Sequence, residues 1–234
     1  MLAALTAPTK AGRLYEVDLR LRPSGRKGPV ATQFASFAQY QRSEAETWEH
    51  MALTRARVIA GDESLSHEIQ EAIRETLAVK RDSAKVAKDV RDMRALIARE
   101  KAASDPWDLK LVAGGLLDIE FTAQFLTLAF AHTNPEIIDV ATRAVIEKAG
   151  AVGLLSAAQA EVLALAHRLY TDATQVMRLA IDGPFDPAKA TSGVKRRIAA
   201  AAALPDFDSL QGALAQTREQ VAAIFAQVLE GKRR

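Results

Sequence analysis

Beyond residue 32 the chain contains little that would hold a sheet together. Alanine dominates the second half, β-branched runs are scarce, and apolar residues recur at helical intervals. Such a sequence is confined to a mainly α fold, with strand restricted to its start. The punctuation predicts helices near 33–42, 43–60, 63–79, 82–101, 116–132, 136–149, 156–181, 191–203 and 207–229. Thr32 is placed to cap the first, and Ser43 with Glu46 has the spacing of a capping box for the second. Gly61-Asp62, Asp105-Pro106-Trp107 and Gly114-Gly115 mark breaks. The 82–101 segment places Lys85 four residues before Asp89 and Lys88 four before Asp92, so it reads as an exposed spacer. The helices after residue 106 form an antiparallel bundle.

The predicted strand, residues 14–22, has two unlike faces. Tyr15, Val17, Leu19 and Leu21 point one way, and Glu16, Asp18, Arg20 and Arg22 the other. A basic Gly/Pro turn follows at 23–28, and residues 29–32 are a candidate return strand. A charged strand face is either solvated surface or the floor of a site where metal and phosphate charges balance. In the second case Asp18 offers a hard oxygen ligand, and Arg22, Arg26 and Lys27 beside open Gly25 and Gly28 amides suit an anion. A two-stranded ribbon needs neighbours, so it resembles the edge of a larger sheet, and an open edge favours a homodimer.

Composition narrows the classes. The net charge is only +2 with acids and bases interleaved, which excludes a field of the kind that condenses on nucleic acid. Apolar stretches are too interrupted to span a membrane, and no secretory signal pattern opens the chain, so the expected location is the cytoplasm. Cysteine is absent, so any metal must bind oxygen or imidazole. His50, His67, His132 and His167 are not spaced for ligation on one helix face.

Two further constellations matter. Trp48, Ala52, Arg55 and Ile59 recur at helical spacing, which puts an arginine in an apolar stripe. Arg55 then either pairs with a structural carboxylate or, with Arg57, reaches toward the Asp18 face. Gly114-Gly115 before Leu116-Leu117-Asp118-Ile119-Glu120 has the look of a phosphate cradle, but Asp118 already complements the helix N-terminus. That helix is apolar nearly all round and should be the buried centre of the bundle, with Glu120 and Gln124 hydrogen-bonded one turn apart.

In order along the chain, LYEVDLRLRPSG, WEHMALTRARVIAGD and DLKLVAGGLLDIEFTAQF resemble the glutamate-ammonia-ligase adenylyltransferase family, and LYEVD with TWEH is closer to its C-terminal, adenylylating half. The resemblance implies a remnant of a polymerase-beta-like nucleotidyltransferase α/β domain, ending in a β-hairpin and followed by an antiparallel helical bundle. It implies a division into residues 1–62 (end of the catalytic domain), 63–105 (connecting helices) and 106–234 (regulatory and docking bundle). It also implies transfer of AMP from ATP to a tyrosine of glutamine synthetase, by in-line attack of the hydroxyl on the α-phosphate with magnesium held by three carboxylates. Asp18 matches the third carboxylate, as metal ligand and catalytic residue, and the similarity places Arg20, Arg22, Arg55 and Arg57 near the site as candidate partners of nucleotide phosphate or of a carboxylate. The Gly-Ser-x-x-Asp-x-Asp segment that supplies the other two carboxylates is not in this sequence, so the expectation is a C-terminal piece, inactive alone. The bundle is expected to engage PII signalling protein and glutamine synthetase. The competing expectation is a non-catalytic helical module that binds a regulatory protein.

Overall fold

The computed structural model describes residues 6–10, 12, 13, 25, 28–101, 103 and 105–231. Strand among them is limited to β1 (Pro8–Thr9) and β2 (Gly12–Arg13), which pair antiparallel, Pro8 opposite Arg13 and Thr9 opposite Gly12. The expected 14–22 strand, with Asp18, Arg20 and Arg22, lies outside the described residues, and with it the sheet edge and its homodimer. The candidate return over 29–32 is not a strand. Pro29 has no amide hydrogen to give a ladder.

Nine helices follow among the described residues: α1 (Phe34–Ser43), α2 (Thr47–Leu53), α3 (Glu63–Leu77), α4 (Ser83–Glu100), α5 (Leu116–Phe130), α6 (Thr142–Ala151), α7 (Ala157–Ala180), α8 (Ser192–Ala201) and α9 (Phe207–Leu229), with a 3₁₀ turn at Pro135–Ile137. The mainly α expectation is met. Most starts carry a side-chain acceptor for a first-turn amide: Asp62, Asp82, Ser156, Thr191 and Asp206. No described helix is long and apolar enough to cross a membrane.

α5 is the centre. Eleven of its fifteen residues are buried, because its sequence is apolar on every side, and it packs against α2, α4, α6, α7 and α9. The amides of its first turn are all engaged. Gly114 N–H donates to Asp118 Oδ2 at 2.6 Å, Gly115 to the Val112 carbonyl at 3.0 Å, Leu116 to Leu109 at 2.9 Å and Leu117 to Lys110 at 3.1 Å. Gly114-Gly115 therefore does not cradle an anion; it permits close packing. A Cβ on Gly114 would lie 1.9 Å from the Arg218 carbonyl oxygen of α9, and its φ of +71° belongs to glycine.

Asp118 is the hub of this junction. Its Oδ1 accepts from Arg94 Nε of α4, whose Nη2 also donates to the Leu111 and Val112 carbonyls at 3.1 and 3.2 Å. Tyr170 of α7, fully buried, donates its hydroxyl to the Gly114 carbonyl at 2.9 Å. Burial pushes that phenol far above its usual range, so it remains a donor.

Several expectations are corrected. Thr32 does not cap α1; Gln33 precedes it without a side-chain cap. Ser43 turns back to the Gln39 carbonyl, and the capping box of α2 is Glu46 with Glu49. α2 stops at Leu53, where Thr54 Oγ1 bonds the Met51 carbonyl, so Trp48, Ala52, Arg55 and Ile59 share no helix face and Ile59 is 85% exposed. α4 is no exposed spacer: its Lys85–Asp89 and Lys88–Asp92 pairs exist, but Val86, Ala87 and Val90 are buried on the opposite face against α5. The expected 136–149 helix is instead a 3₁₀ turn followed by α6, and between them Asp139 accepts from the Ala141 amide at 2.9 Å and from Lys148 at 2.8 Å; α6 itself has no side-chain cap.

Two stability predictions arise from this packing. The Arg94 and Asp118 side chains are 12% and 5% exposed. Removing one partner strands a buried charge, so Asp118→Ala should cost about 3–5 kcal/mol in urea unfolding, while the apolar pair Arg94→Met/Asp118→Leu should cost much less. Ala203 closes α8 at φ +56°, where its Cβ is strained and Leu204 N–H returns to the Ala199 carbonyl. Ala203→Gly should therefore raise stability by about 1 kcal/mol, read from the same transition.

Candidate functional site

Of the residues expected at the site, Arg55 and Arg57 are described; Asp18, Arg20 and Arg22 lie outside. Both arginines leave the C-terminus of α2, and a set of polar contacts fixes that corner. Glu49 Oε2 accepts the Glu46 amide at 2.9 Å while its Oε1 accepts the Tyr40 hydroxyl at 2.7 Å, which locks α2 to α1. Thr47 donates to Asp89 of α4 at 2.5 Å. Arg81 closes the end of α3 by donating to the Thr76, Leu77 and Val79 carbonyls at 2.7, 3.1 and 3.0 Å.

His50 lies between these elements. Its Nε2 is 3.0 Å from the Gln41 carbonyl, and its Nδ1 is 3.5 Å from Arg81 Nη2. A carbonyl accepts and a guanidinium donates, so the neutral ring with its proton on Nε2 suits both neighbours. Burial lowers its pKa, and the Arg81 charge lowers it further against the opposing Gln41 hydrogen bond.

Arg55 and Arg57 diverge. Arg55 Nη1 reaches Glu120 Oε1 of α5 at 3.4 Å and Thr142 Oγ1 of α6 at 3.2 Å. Pairing with a carboxylate was one of its two expected roles, although the apolar stripe that motivated it does not form. No hydrogen bond joins Glu120 to Gln124, so the bond expected from their spacing is not formed, and the buried Gln124 Oε1 is itself without a partner. His167 of α7 faces this group, and burial lowers its pKa, opposed by Glu120 and reinforced by Arg55 and Arg143.

Arg57 points elsewhere. It lines a cleft of about 400 Å³ between α3 and the 138–140 segment, together with Arg74 and Glu71. Among the described residues no group of three acidic or histidine side chains is placed to hold a metal. The polar residue that sequence reasoning missed is Arg94. Its signal was present: Val90, Arg94 and Ile97 share one face of α4, an arginine among core positions.

Comparison with known proteins now bears on this geometry. Residues 1–72 match the family model described as glutamate-ammonia ligase adenylyltransferase, and residues 84–229 match the one described as GlnD PII-uridylyltransferase. Over 231 residues, 99% of the chain, it is 48% identical to the bifunctional glutamine synthetase adenylyltransferase/adenylyl-removing enzyme of Bradyrhizobium diazoefficiens. The enzymes of that name from Xanthobacter autotrophicus and Rhodopseudomonas palustris are 50% and 47% identical over 98% and 99% of the chain. The chain belongs to the glutamate-ammonia ligase adenylyltransferase family. It spans 23% of the length of these relatives. Within this adenylyltransferase-family chain the second match runs from the first turn of α4 to the end of α9, so α4 is part of the matched helical unit. Arg55 is a tie between the two matched segments, joining 1–72 to Glu120 and Thr142 of 84–229.

The His50 geometry predicts a pH dependence. Its folded pKa lies below the ordinary 6.5, so the unfolded chain binds more protons as pH falls. Stability from this group is complete above about pH 6.5 and is lost as pH drops through the depressed folded value, at a slope of at most about 1.4 kcal/mol per pH unit. Urea midpoints measured from pH 7 to 5 should fall less steeply in His50→Gln than in the parent.

Proposed function

We propose that this chain contributes part of the catalytic domain and a helical docking domain to an enzyme that transfers AMP from ATP to a tyrosine of glutamine synthetase. The reading is carried by the match of residues 1–72, which span Asp18, to the adenylyltransferase family. It is supported by identity near one half to enzymes named for that activity, over almost the whole chain. In this reading residues 1–62 close the nucleotidyltransferase domain, 63–105 connect, and 106–234 dock partners.

Asp18 is the metal ligand and catalytic carboxylate of the proposal, and its hard oxygens suit magnesium. Magnesium, when bound, would neutralise charge developing on the transferred phosphate. Arg20 and Arg22, two and four residues after Asp18, are proposed nucleotide-phosphate partners, and Arg55 and Arg57 are the other two. Three carboxylates are needed for the cage and these residues supply one, so the 234-residue polypeptide alone is proposed to be inactive. The family description of residues 84–229 as PII-uridylyltransferase supports PII signalling protein as a partner of the bundle. The proposed setting is the cytoplasm.

The test joins these residues to the Gly-Ser-x-x-Asp-x-Asp segment of a relative and follows AMP incorporation from labelled ATP into glutamine synthetase. Asp18→Ala should lower transfer about a hundredfold or more. Equal rates from Asp18 and Asp18→Ala would remove Asp18 from the chemistry and leave the bundle as a non-catalytic interaction module.

A further inference from the structure

The cleft beside α3 has the features of a binding site. It measures about 400 Å³, within the range that accepts small organic ligands. Ile73 and Leu77 of α3 and Ile138 and Val140 of the segment before α6 form its apolar walls. Arg57 and Arg74 open onto it from separate elements, both exposed and neither in an ion pair among the described residues. Two unpaired guanidiniums over an apolar floor are a charge pattern in search of an anion. The acidic residues there do not cancel it. Asp139 is neutralised by Lys148 at 2.8 Å, which leaves Glu71 against two arginines.

We propose that this cleft binds a small organic anion, its carboxylate or phosphate group held by Arg57 and Arg74 and its apolar body against Ile73, Leu77, Ile138 and Val140. Such a ligand touches both matched segments, since Arg57 lies in the first and Ile138 and Val140 in the second. Its anionic group has two sources: the phosphate of the nucleotide used in the proposed transfer, in which case the inference rests on that reading, or a separate carboxylate ligand, in which case it does not.

Calorimetric titration of the 234-residue chain with AMP and, separately, with octanoate distinguishes these. At least one should bind saturably at one site. Its affinity should fall about tenfold or more in Arg57→Gln/Arg74→Gln, which removes charge-assisted donors, and in Val140→Glu, which adds a like charge to the wall. Arg168→Gln, on the exposed face of α7, should bind as the parent does, and circular dichroism should show every variant folded. Binding of AMP alone assigns the cleft to the nucleotide; binding of octanoate, with or without AMP, assigns it to a separate ligand. Failure of both to bind, or parent affinity in the double arginine variant, overturns the proposal. A cleft assigned to octanoate would take Arg57 out of the nucleotide partners, while the transfer reading itself is tested separately by Asp18→Ala.

Discussion

The bundle depends on one buried carboxylate. Asp118 sits at the start of α5, the helix with most neighbours, and holds Arg94 of α4 with one oxygen and the Gly114 amide with the other. The same Gly114 accepts Tyr170 of α7 and lies against the backbone of α9 at Arg218. Four helices thus meet at Gly114-Gly115, where neither glycine has room for a Cβ. Isolated, an ion pair in such a place gains little over an apolar pair, because both charges lose their water. Its effect here is geometric: the guanidinium also takes two loop carbonyls, so the turn before α5 has a single satisfied arrangement.

The joint to the N-terminal segment is built differently. Arg55 is half exposed, Glu120 is 18% exposed, and they meet at 3.4 Å. At that length and with one partner in water the pair is weaker than Arg94–Asp118 and more open to screening by salt. Within the α1–α2–α3 corner Glu49 holds Tyr40 and Arg81 closes the end of α3, while Met51 and Leu53 of α2 join the same apolar core as α4 and α5. The cleft lined by Arg57 opens between α3 and the 138–140 segment.

Much of this was legible in the sequence. The helices after residue 155 fall within a residue or two of expectation, since Ser156, Thr191 and Asp206 mark their starts and alanine-rich amphipathic runs fill them. The burial of α5 followed from its lack of any polar face. What escaped had local causes. The end of α2 was set by a threonine hydroxyl turned back on its own helix, a competition between side chain and backbone that periodicity does not register. The two-faced character of α4 was hidden because its exposed charge pairs stand out in sequence while its buried face is only Val86, Ala87 and Val90. Arg55 was recognised as an arginine needing a partner, but partners sixty-five and eighty-seven residues away are tertiary facts.

The two arginine–carboxylate pairs differ in depth. Arg94–Asp118 is buried, so breaking it would leave desolvated charges without a partner. Arg55–Glu120 lies nearer the surface, with the arginine half in water and the carboxylate largely buried. His167 lies beside this pair; burial lowers its pKa, opposed by Glu120 and reinforced by Arg55, so the neutral ring is favoured there.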